Sequence, residues 1–120
     1  MTDPRTDRPS IVVNHQPGLT GDQLAEILNG IEEESIPFDV RPVAAGDALA
    51  MAHAAALESR LGVGIGIAGA TMVVTLEKLP PERPYIREQF NLRRALDRAV
   101  GTNAARLVKR TPLRDLHNEE

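Results

Sequence analysis

The stretch GVGIGIAGATMVVTLEKLP (62–80) holds two runs rich in β-branched residues on either side of a Gly-Ala pair. In the first run glycine alternates with valine or isoleucine, so one face of a strand there lacks side chains and admits another backbone closely. We predict a central strand over 62–68 with a helix near its bare face, a tight turn at 69–70, and an antiparallel strand over 71–77. The glycines on the bare face are Gly62, Gly64 and Gly66.

The same stretch matches the G-x-G-x-x-G spacing of dinucleotide sites through Gly64, Gly66 and Gly69. Such a motif needs a helix after the last glycine, because the helix N-terminus binds the pyrophosphate. Here ATMVVTLEK (70–78) follows, which is a second β-branched run. We therefore reject a nucleotide site and interpret the glycines as packing residues.

The N-terminal part of the chain alternates between strand and helix. SIVVN (10–14) is a short β-branched run, and PFDVRPV (37–43) predicts a second strand, in which Pro42 favours an edge position. Between them a helix is predicted from about Asp22, as its cap or first-turn acid, to about Glu34. Its apolar stripe has helical spacing and consists of Leu24, Ile27, Leu28 and Ile31.

An alanine-rich helix is predicted over about 47–61. Its large residues recur at every fourth position and are Leu49, His53, Leu57 and Leu61. We interpret His53 as a packed helix residue rather than a ligand. The prolines of LPPERP (79–84) then indicate a surface connection into a short strand at 85–87.

The C-terminal part is predicted to be mainly helical. A helix begins near Glu88, is interrupted at Gly101, and resumes over 104–110 behind a cap at Thr102 or Asn103. With the strands above, this order is typical of an α/β domain. We expect helices on both faces of a mostly parallel sheet. One antiparallel strand makes this predicted sheet mixed.

Length and composition are typical of one soluble domain. In a chain of 120 residues we expect it to span 10–117 behind a disordered leader, 1–9. No cysteine is present, and no apolar run approaches the ~20 residues that a membrane span needs. We therefore expect a soluble, cytoplasmic protein.

Charge is unevenly distributed along the chain, although the net charge is only −3. Residues 22–60 carry eight acidic and two basic residues, whereas residues 82–115 carry nine basic and four acidic ones. This asymmetry predicts two oppositely charged faces. Catalytic signals are sparse, since the chain has three histidines and no G-x-x-x-x-G-K-[ST], G-x-S-x-G or H-E-x-x-H motif. The pattern is typical of a binding scaffold.

Three consecutive glutamates, Glu32, Glu33 and Glu34, end the first predicted helix in GIEEESIPF (30–38). Pro37 forces extended geometry on the residue before it and so closes the helix there. The negative end of the helix dipole disfavours carboxylates in the last turn. Either the triplet is a solvated, salt-screened turn, or a partner outside the chain uses its charge.

Two segments, GIEEESIPF (30–38) and GTNAARLVKRTPLRDL (101–116), resemble the signature segments of the small subunits of diol or glycerol dehydratase-reactivating factors. VGIGIAGATMVVTLEKLP (63–80) is similar to that family's middle strands, so the resemblance covers about residues 10–117. It implies a three-layer α/β/α fold with a five-stranded mixed sheet, similar to the dehydratase medium (β) subunit. The chain departs from the family pattern in its longer polar leader, its Gly-Ala turn and the region 81–100.

The resemblance implies a non-catalytic subunit of an ATP-dependent, chaperone-like factor. That family's large subunit is an ATPase, which would hold the ATP or ADP, and the factor acts on adenosylcobalamin-dependent diol or glycerol dehydratase. By mimicking the enzyme's own medium subunit, the factor would release damaged cobalamin. The implied partners are the large subunit and the dehydratase, in a cytoplasmic or microcompartment-associated hetero-oligomer, with no nucleic acid and no membrane.

The resemblance also implies a role for the acidic triplet. Glu33 matches the glutamate that reaches across the subunit interface toward a Mg²⁺ ion held by the large subunit, and hard oxygen ligands suit this ion. Glu32 and Glu34 are then either supporting negative charge at the interface or plain surface residues. We expect the basic residues of the C-terminal segment to form a positive interface or, alternatively, to be solvated surface charges. These residues are Arg106, Lys109 and Arg114.

Two other functions stay open. The chain could be the medium subunit of a dehydratase itself, which helps to hold cobalamin, although such subunits are longer. It could also be a free-standing binding module for tRNA or a nucleotide. Only the basic balance of 82–115 favours that function, whereas the overall acidity and the scarcity of aromatic side chains disfavour it.

Overall fold

The structure of the protein is a computed structural model that describes residues 8–117. This range contains five strands and three helices. Of the predicted leader, 1–9, residues 1–7 lie outside the described residues. None of the helices over residues 8–117 combines the length and the hydrophobicity of a transmembrane span. In chain order the elements are β1 (Ile11–His15), α1 (Gly21–Glu33), β2 (Phe38–Pro42), α2 (Ala48–Glu58), β3 (Val63–Ala68), β4 (Thr71–Leu76), β5 (Ile86–Gln89) and α3 (Arg94–Lys109).

The strands form one sheet in the order β2-β1-β3-β4-β5. β1 pairs in parallel with β2 and β3, while β4 is antiparallel to both β3 and β5. In this sheet β4 therefore runs against the other four strands, which confirms the predicted five-stranded mixed sheet. β2 lies at an edge, as Pro42 indicates. One face of the sheet is covered by α2 and the other by α1 and α3, so the three-layer prediction is also confirmed.

The bare face of β3 packs directly on α2. A Cβ atom added at Gly64 would lie 2.1 Å from the Ala56 amide nitrogen. One added at Gly66 would lie 2.2 Å from the Ala48 carbonyl oxygen. The helix and strand backbones approach this closely because both positions are glycine, as the alternation predicts. Gly62 differs from the prediction, since it precedes β3 with a φ of +74° and serves a turn.

α2 is shorter than predicted and turns a different side to the sheet. It follows the Asp47 cap, whose carboxylate accepts a hydrogen bond from the Ala50 amide at 2.8 Å, and it ends at Glu58. Leu57 from the predicted four-residue repeat is half exposed, while His53 is partly buried. The glycine face of β3 selects mainly small residues on α2, and those that are buried are Ala48, Met51, Ala52, Ala55 and Ala56.

The opposite face of the sheet carries the main apolar core. The predicted stripe of α1 packs there against the branched side chains of β1 and β3 and against α3. Burial of these aliphatic side chains is the main favourable contribution to folding. Side chains that are fully buried include Ile11, Ile27, Ile31, Ile65, Ile67 and Val100.

α3 is continuous, which corrects the predicted break at Gly101. The helix starts at Arg94, later than predicted, because the residues before it form β5 and a turn. A Cβ atom at Gly101 would lie 1.9 Å from the Ile27 carbonyl oxygen. One at Gly30 would lie 2.2 Å from the Arg98 carbonyl oxygen. We call the close approach of α1 and α3 at Gly30 and Gly101 the glycine contact. Gly101 serves this contact and does not terminate the helix.

Candidate functional site

The acidic triplet lies where the sequence predicts it, at the C-terminal end of α1. The helix follows Thr20, which forms a capping box with Gln23. It ends at Glu33, with Glu34 as the C-cap residue and no basic residue in its last turn. The carboxylates therefore stand at the negative end of the helix dipole, where positive partners from another element are favourable.

Arg98 of α3 is the partner of Glu33. Its guanidinium pairs with the carboxylate through Nη2 and also directs Nε toward Glu33 Oε1 at 3.4 Å. This hydrogen bonding, together with the negative charge of Glu33, raises the pKa of the Arg98 guanidinium. The Glu33 side chain is 54% exposed, so the paired carboxylate remains accessible from solvent.

A second carboxylate of α1, Glu26, also contacts Arg98. Arg98 Nη1 lies 3.3 Å from Glu26 Oε1, while Arg94 Nη2 donates to Glu26 Oε2 at 2.8 Å. The hydrogen bond from Arg94 is the main cause of the lowered pKa of Glu26, and partial burial opposes it. Arg98 thus bridges Glu26 and Glu33, which lie about two turns apart on α1.

Glu34 is paired near the other end of α3. Its carboxylate lies 3.3 Å from Arg106 Nη2 and 3.0 Å from Lys109 Nζ. Lys109 Nζ is also 3.4 Å from the Glu34 carbonyl oxygen, so it faces both the side chain and the end of the helix. The Lys109 hydrogen bond is the main cause of the lowered pKa of Glu34. The ion-pair network between α1 and α3 consists of Glu26, Glu33, Glu34, Arg94, Arg98, Arg106 and Lys109.

The ion-pair network corrects the prediction of two oppositely charged faces made from the charge pattern. The acidic part of the chain and the basic part do not form separate faces here, because α1 and α3 lie side by side and their charges pair. The charge of Glu33 and Glu34 is also matched within the chain, so it does not by itself require an outside partner. Arg94 and Arg98 belong to no sequence motif, and the opposite charge of the two segments was the available signal for them.

Glu32 and Arg114 lie outside the ion-pair network. Glu32 is exposed beside a shallow surface groove that also includes Ser35 and Phe38. Arg114 is exposed, and the structure engages its backbone rather than its charge. Of the predicted interface residues, the structure therefore brings together Glu34, Arg106 and Lys109, and it places Arg114 apart from them.

Asn103 fixes the segment that follows α3. Its side chain is almost fully buried, with Oδ1 accepting from the Arg114 amide at 2.7 Å and Nδ2 donating to the Arg114 carbonyl oxygen at 3.0 Å. The segment then packs Leu116 on the core and brings His117 Nε2 within 3.0 Å of Glu88 Oε2 on β5. Asn103 is therefore an anchor inside α3, and neither Thr102 nor Asn103 is the helix cap that the sequence predicts.

Asp97 is a buried acid in the first turn of α3, and no sequence motif marks it. Its two carboxylate oxygens accept the Asn91 amide at 3.1 and 3.2 Å. Asn91 has a φ of +64°, so Asp97 stabilises a tight turn between β5 and α3. Burial raises the pKa of Asp97 above its ordinary value, while the Asn91 hydrogen bond opposes this shift and the negative charge of Glu26 adds to it.

The carboxyl ends of β1 and β3 are a common ligand position in α/β folds, and the chain occupies this place itself. Gln16 Oε1 accepts the Gly69 amide at 2.7 Å, and the Gln16 amide donates to the Ile67 carbonyl oxygen at 2.9 Å. Gly69 leads into β4, so a strand follows the G-x-G-x-x-G spacing. Within residues 8–117 no three histidine, aspartate or glutamate side chains are grouped to hold a metal ion.

Comparison with known proteins gives one consistent result over most of the chain. The family model described as Dehydratase medium subunit matches residues 8–114. The chain is 38% identical over 110 residues to the propanediol dehydratase-reactivating factor small subunit of Citrobacter freundii, a match that covers 92% of this chain and 94% of that protein. It is 44% identical over 92 residues to the Salmonella typhimurium protein of the same name, over 77% of this chain and 79% of that one.

A solved structure shows the same fold. The structure of a diol dehydratase-reactivating factor complexed with ADP and Mg²⁺ contains a chain that superimposes with a TM-score of 0.85 and 38% sequence identity. The superposition covers 91% of the present chain and 100% of that chain. The likeness therefore extends over most of the chain.

Proposed function

The chain belongs to the dehydratase medium subunit family, among the reactivating-factor small subunits, and we propose that it is the non-catalytic small subunit of a factor that reactivates a diol or glycerol dehydratase. The observation that carries this proposal is the likeness to such small subunits over nearly the full length of both chains. We propose that the protein performs this role in the cytoplasm.

The proposed assembly is a hetero-oligomer with a large ATPase subunit. A related factor of known structure was solved with ADP and Mg²⁺, which supports a nucleotide-dependent cycle. We assign the nucleotide to the large subunit, because the glycines of this chain that match a dinucleotide motif lie in a strand and a turn. Because the family also includes dehydratase medium subunits, this chain is proposed to replace that subunit, loosen the enzyme and let damaged cobalamin leave.

Glu33 is proposed to complete a Mg²⁺ site across the subunit interface. The residue fits this role, since it offers an accessible carboxylate and Mg²⁺ commonly takes only one or two carboxylates from a protein. A bound Mg²⁺ would supply the positive charge that joins acidic groups of two subunits. Arg98 contacts the same carboxylate in the free chain, so binding of the ion requires Arg98 to share it or release it.

The other predicted interface residues are proposed to have different roles. Arg106 and Lys109 each pair with Glu34, and we propose that these two ion pairs fix the end of α1 and so position Glu33. Glu32 is proposed to add negative potential from the surface. Arg114 is proposed to present its charge to the partner, since Asn103 holds its backbone in place.

Co-expression with the candidate large subunit tests the proposal. We expect a single complex of both chains in size-exclusion chromatography in Mg²⁺, at low and at moderate salt. We also expect this complex to restore an inactivated dehydratase when ATP is added. Separate elution of the two chains at both salt concentrations would contradict the proposed assembly.

The isolated chain tests where the nucleotide binds. We expect calorimetry with Mg-ATP to show no binding and an assay of released phosphate to show no hydrolysis, because a strand follows the glycine spacing. Micromolar binding to this chain alone would contradict the assignment of the nucleotide to the large subunit.

A second candidate function is that of a dehydratase medium subunit, because the matching family model carries that description. Purification with the catalytic dehydratase subunits separates the two functions. A medium subunit would remain bound and support turnover without ATP, whereas a reactivating subunit would restore activity only together with the ATPase.

A further inference from the structure

We infer that Arg98 regulates the availability of Glu33 by competing with the cation that this carboxylate binds, and that Glu26 retains Arg98 when the cation arrives. The inference rests on the proposed function, because it takes Glu33 as the residue that meets a divalent cation of the partner. It adds a regulatory pair, Arg98 and Glu26, that the acidic triplet alone does not indicate.

The contact between Arg98 and Glu33 is the starting state. Two nitrogens of the guanidinium face two oxygens of the carboxylate, which is the most specific geometry for this pair. Both side chains are partly exposed, so a cation from a partner surface can reach the carboxylate without unfolding the chain. In the free subunit, Glu33 is therefore restrained in position and its charge is partly neutralised.

Glu26 is the alternative partner for Arg98. Arg98 Nη1 already lies 3.3 Å from Glu26 Oε1, so Arg98 keeps a carboxylate partner when its contact with Glu33 breaks. Glu26 is itself held by Arg94 and is only 15% exposed, which fixes its position before binding. The exchange thus needs rotation of one side chain and no movement of the glycine contact.

Electrostatics gives the direction of the effect. A divalent cation at Glu33 repels the nearby Arg98 guanidinium, so part of the binding free energy is used to displace it. Loss of the Arg98 charge should therefore strengthen cation-dependent binding. Loss of the Glu26 charge should weaken binding, because Arg98 then has only Glu33 as a partner among the carboxylates it contacts in the described chain.

The test measures the dissociation constant of the complex between this chain and the large subunit, in Mg²⁺ and in EDTA. For Arg98→Gln we expect binding about two- to five-fold tighter in Mg²⁺, which is the range for a partly exposed ion pair, and unchanged binding in EDTA. Arg98→Lys keeps the charge but loses the two-point contact, so a smaller change of the same sign is expected. Arg41→Gln is the matched control, because Arg41 also bridges two carboxylates, Asp39 and Glu58, at similar exposure on the α2 side.

A double-mutant cycle separates competition from general surface charge. Glu26→Gln should weaken binding about two- to five-fold in the wild-type chain and should have no effect in the Arg98→Gln chain. A general charge effect would weaken binding equally in both chains. Thermal unfolding of each variant verifies that the comparison is made between folded proteins.

The possible outcomes distinguish this inference from the proposed function. If the wild-type chain and the large subunit do not associate, the proposed function is wrong and the inference falls with it. If they associate in a Mg²⁺-dependent manner, but neither Arg98→Gln nor Arg98→Lys binds more tightly, the inference alone is wrong. An equal effect of Glu26→Gln in both chains would also overturn it.

Discussion

The α1–α3 pair contains two contacts of opposite character. At the glycine contact the helix backbones meet so closely that a Cβ atom on either glycine would overlap a carbonyl oxygen. In the ion-pair network just outside, charged side chains meet at the surface, and Arg98 has two partners. The first contact admits one arrangement and the second admits several. We conclude that the glycine contact fixes the fold, while the ion-pair network can be rearranged by binding.

The largest expected effect is that of breaking the glycine contact with Gly101→Ala. The new Cβ atom would lie 1.9 Å from the Ile27 carbonyl oxygen, so α1 and α3 must separate. We expect a loss of about 3 kcal/mol or more in the free energy of unfolding, at the upper end for overpacking. This loss exceeds the roughly 1 kcal/mol that alanine gains over glycine in a helix. Urea unfolding followed by circular dichroism measures it.

Gly21→Ala is the matched control for this substitution. Gly21 also lies in a helix, and a Cβ atom there would have open space around it. Gly21 is the first residue of α1 and lies outside the helix interior where the propensity gain applies, so we expect the stability of the variant to stay within about 0.5 kcal/mol of the wild-type value. Equal stability of the Gly101→Ala and Gly21→Ala chains would show that the glycine contact is not the constraint we describe.

A substitution in the ion-pair network should affect association with the partner rather than stability, and Glu33→Gln is the sharpest test of this. The substitution removes one charge with little change of shape at a half-exposed position. We expect little change in thermal unfolding, but about 10- to 150-fold weaker association with the large subunit in Mg²⁺, as for the loss of a charge-assisted contact. Titration of one purified subunit with the other measures the affinity.

The neighbouring glutamates are the internal controls for Glu33. Glu32→Gln and Glu34→Gln should change the affinity several-fold at most, because they act through screened surface potential or through position. Similar losses for all three variants would indicate a general acidic patch. An unchanged affinity for Glu33→Gln would show that this residue is not the cation ligand.

Asn103 combines features of both regions, because it is buried like the glycine contact but acts through hydrogen bonds. Asn103→Ala removes both bonds to the Arg114 backbone. We expect a loss of about 1–3 kcal/mol and faster amide hydrogen exchange over residues 111–117. Asn29→Ala, at an exposed position of α1, should change neither quantity. Unaltered exchange in the Asn103→Ala chain would contradict the anchoring role.

The smallest expected effect is a change in pH dependence. Burial raises the pKa of Asp97 above its ordinary value of 3.8 in the folded chain, so its contribution to stability is present at low pH and is lost as the pH rises through the raised value. Glu26 and Glu34 behave oppositely. Their lowered pKa values mean that their contribution is present above 4.5 and is lost as the pH falls.

Asp97→Asn removes the contribution that opposes acid unfolding. We therefore expect the stability of this variant to fall more steeply than that of the wild-type chain as the pH falls through the raised pKa of Asp97 toward 3.8. Urea unfolding across this range measures the slope. Parallel profiles for the two chains would show that Asp97 does not titrate differently in the folded state.

The sheet could be predicted from the sequence because its signals are local. Alternation of glycine with branched residues places β3 in the centre against a helix, and Gly64 and Gly66 do lie on α2. The helix layers were predicted less well, because their contacts join residues that are distant in sequence. The sequence alone indicates a helix break at Gly101, because it does not show that Ile27 lies against this residue. The side of α2 that is buried depends on the glycines of β3 that it contacts.

In the candidate site, too, the local features could be predicted from the sequence and the contacts between distant residues could not. The acidic triplet and its position at the end of α1 follow from the sequence, and so does the resemblance that singles out Glu33. The pairing of Glu33 with Arg98 could not be predicted from the sequence, because α1 and α3 are far apart in the chain and must first pack side by side. Asn103 was predicted as a cap for the same reason, since its true partner, Arg114, lies in the segment beyond α3.

The most direct test of the central claim is the Mg²⁺ dependence of assembly in the wild-type and Glu33→Gln chains. The dissociation constant with the large subunit is measured by titration as Mg²⁺ is varied at constant ionic strength and constant nucleotide. If Glu33 completes a cation site across the interface, the wild-type complex tightens as Mg²⁺ rises, and the Glu33→Gln complex stays weak and nearly independent of Mg²⁺. The same Mg²⁺ dependence in both chains would contradict the account.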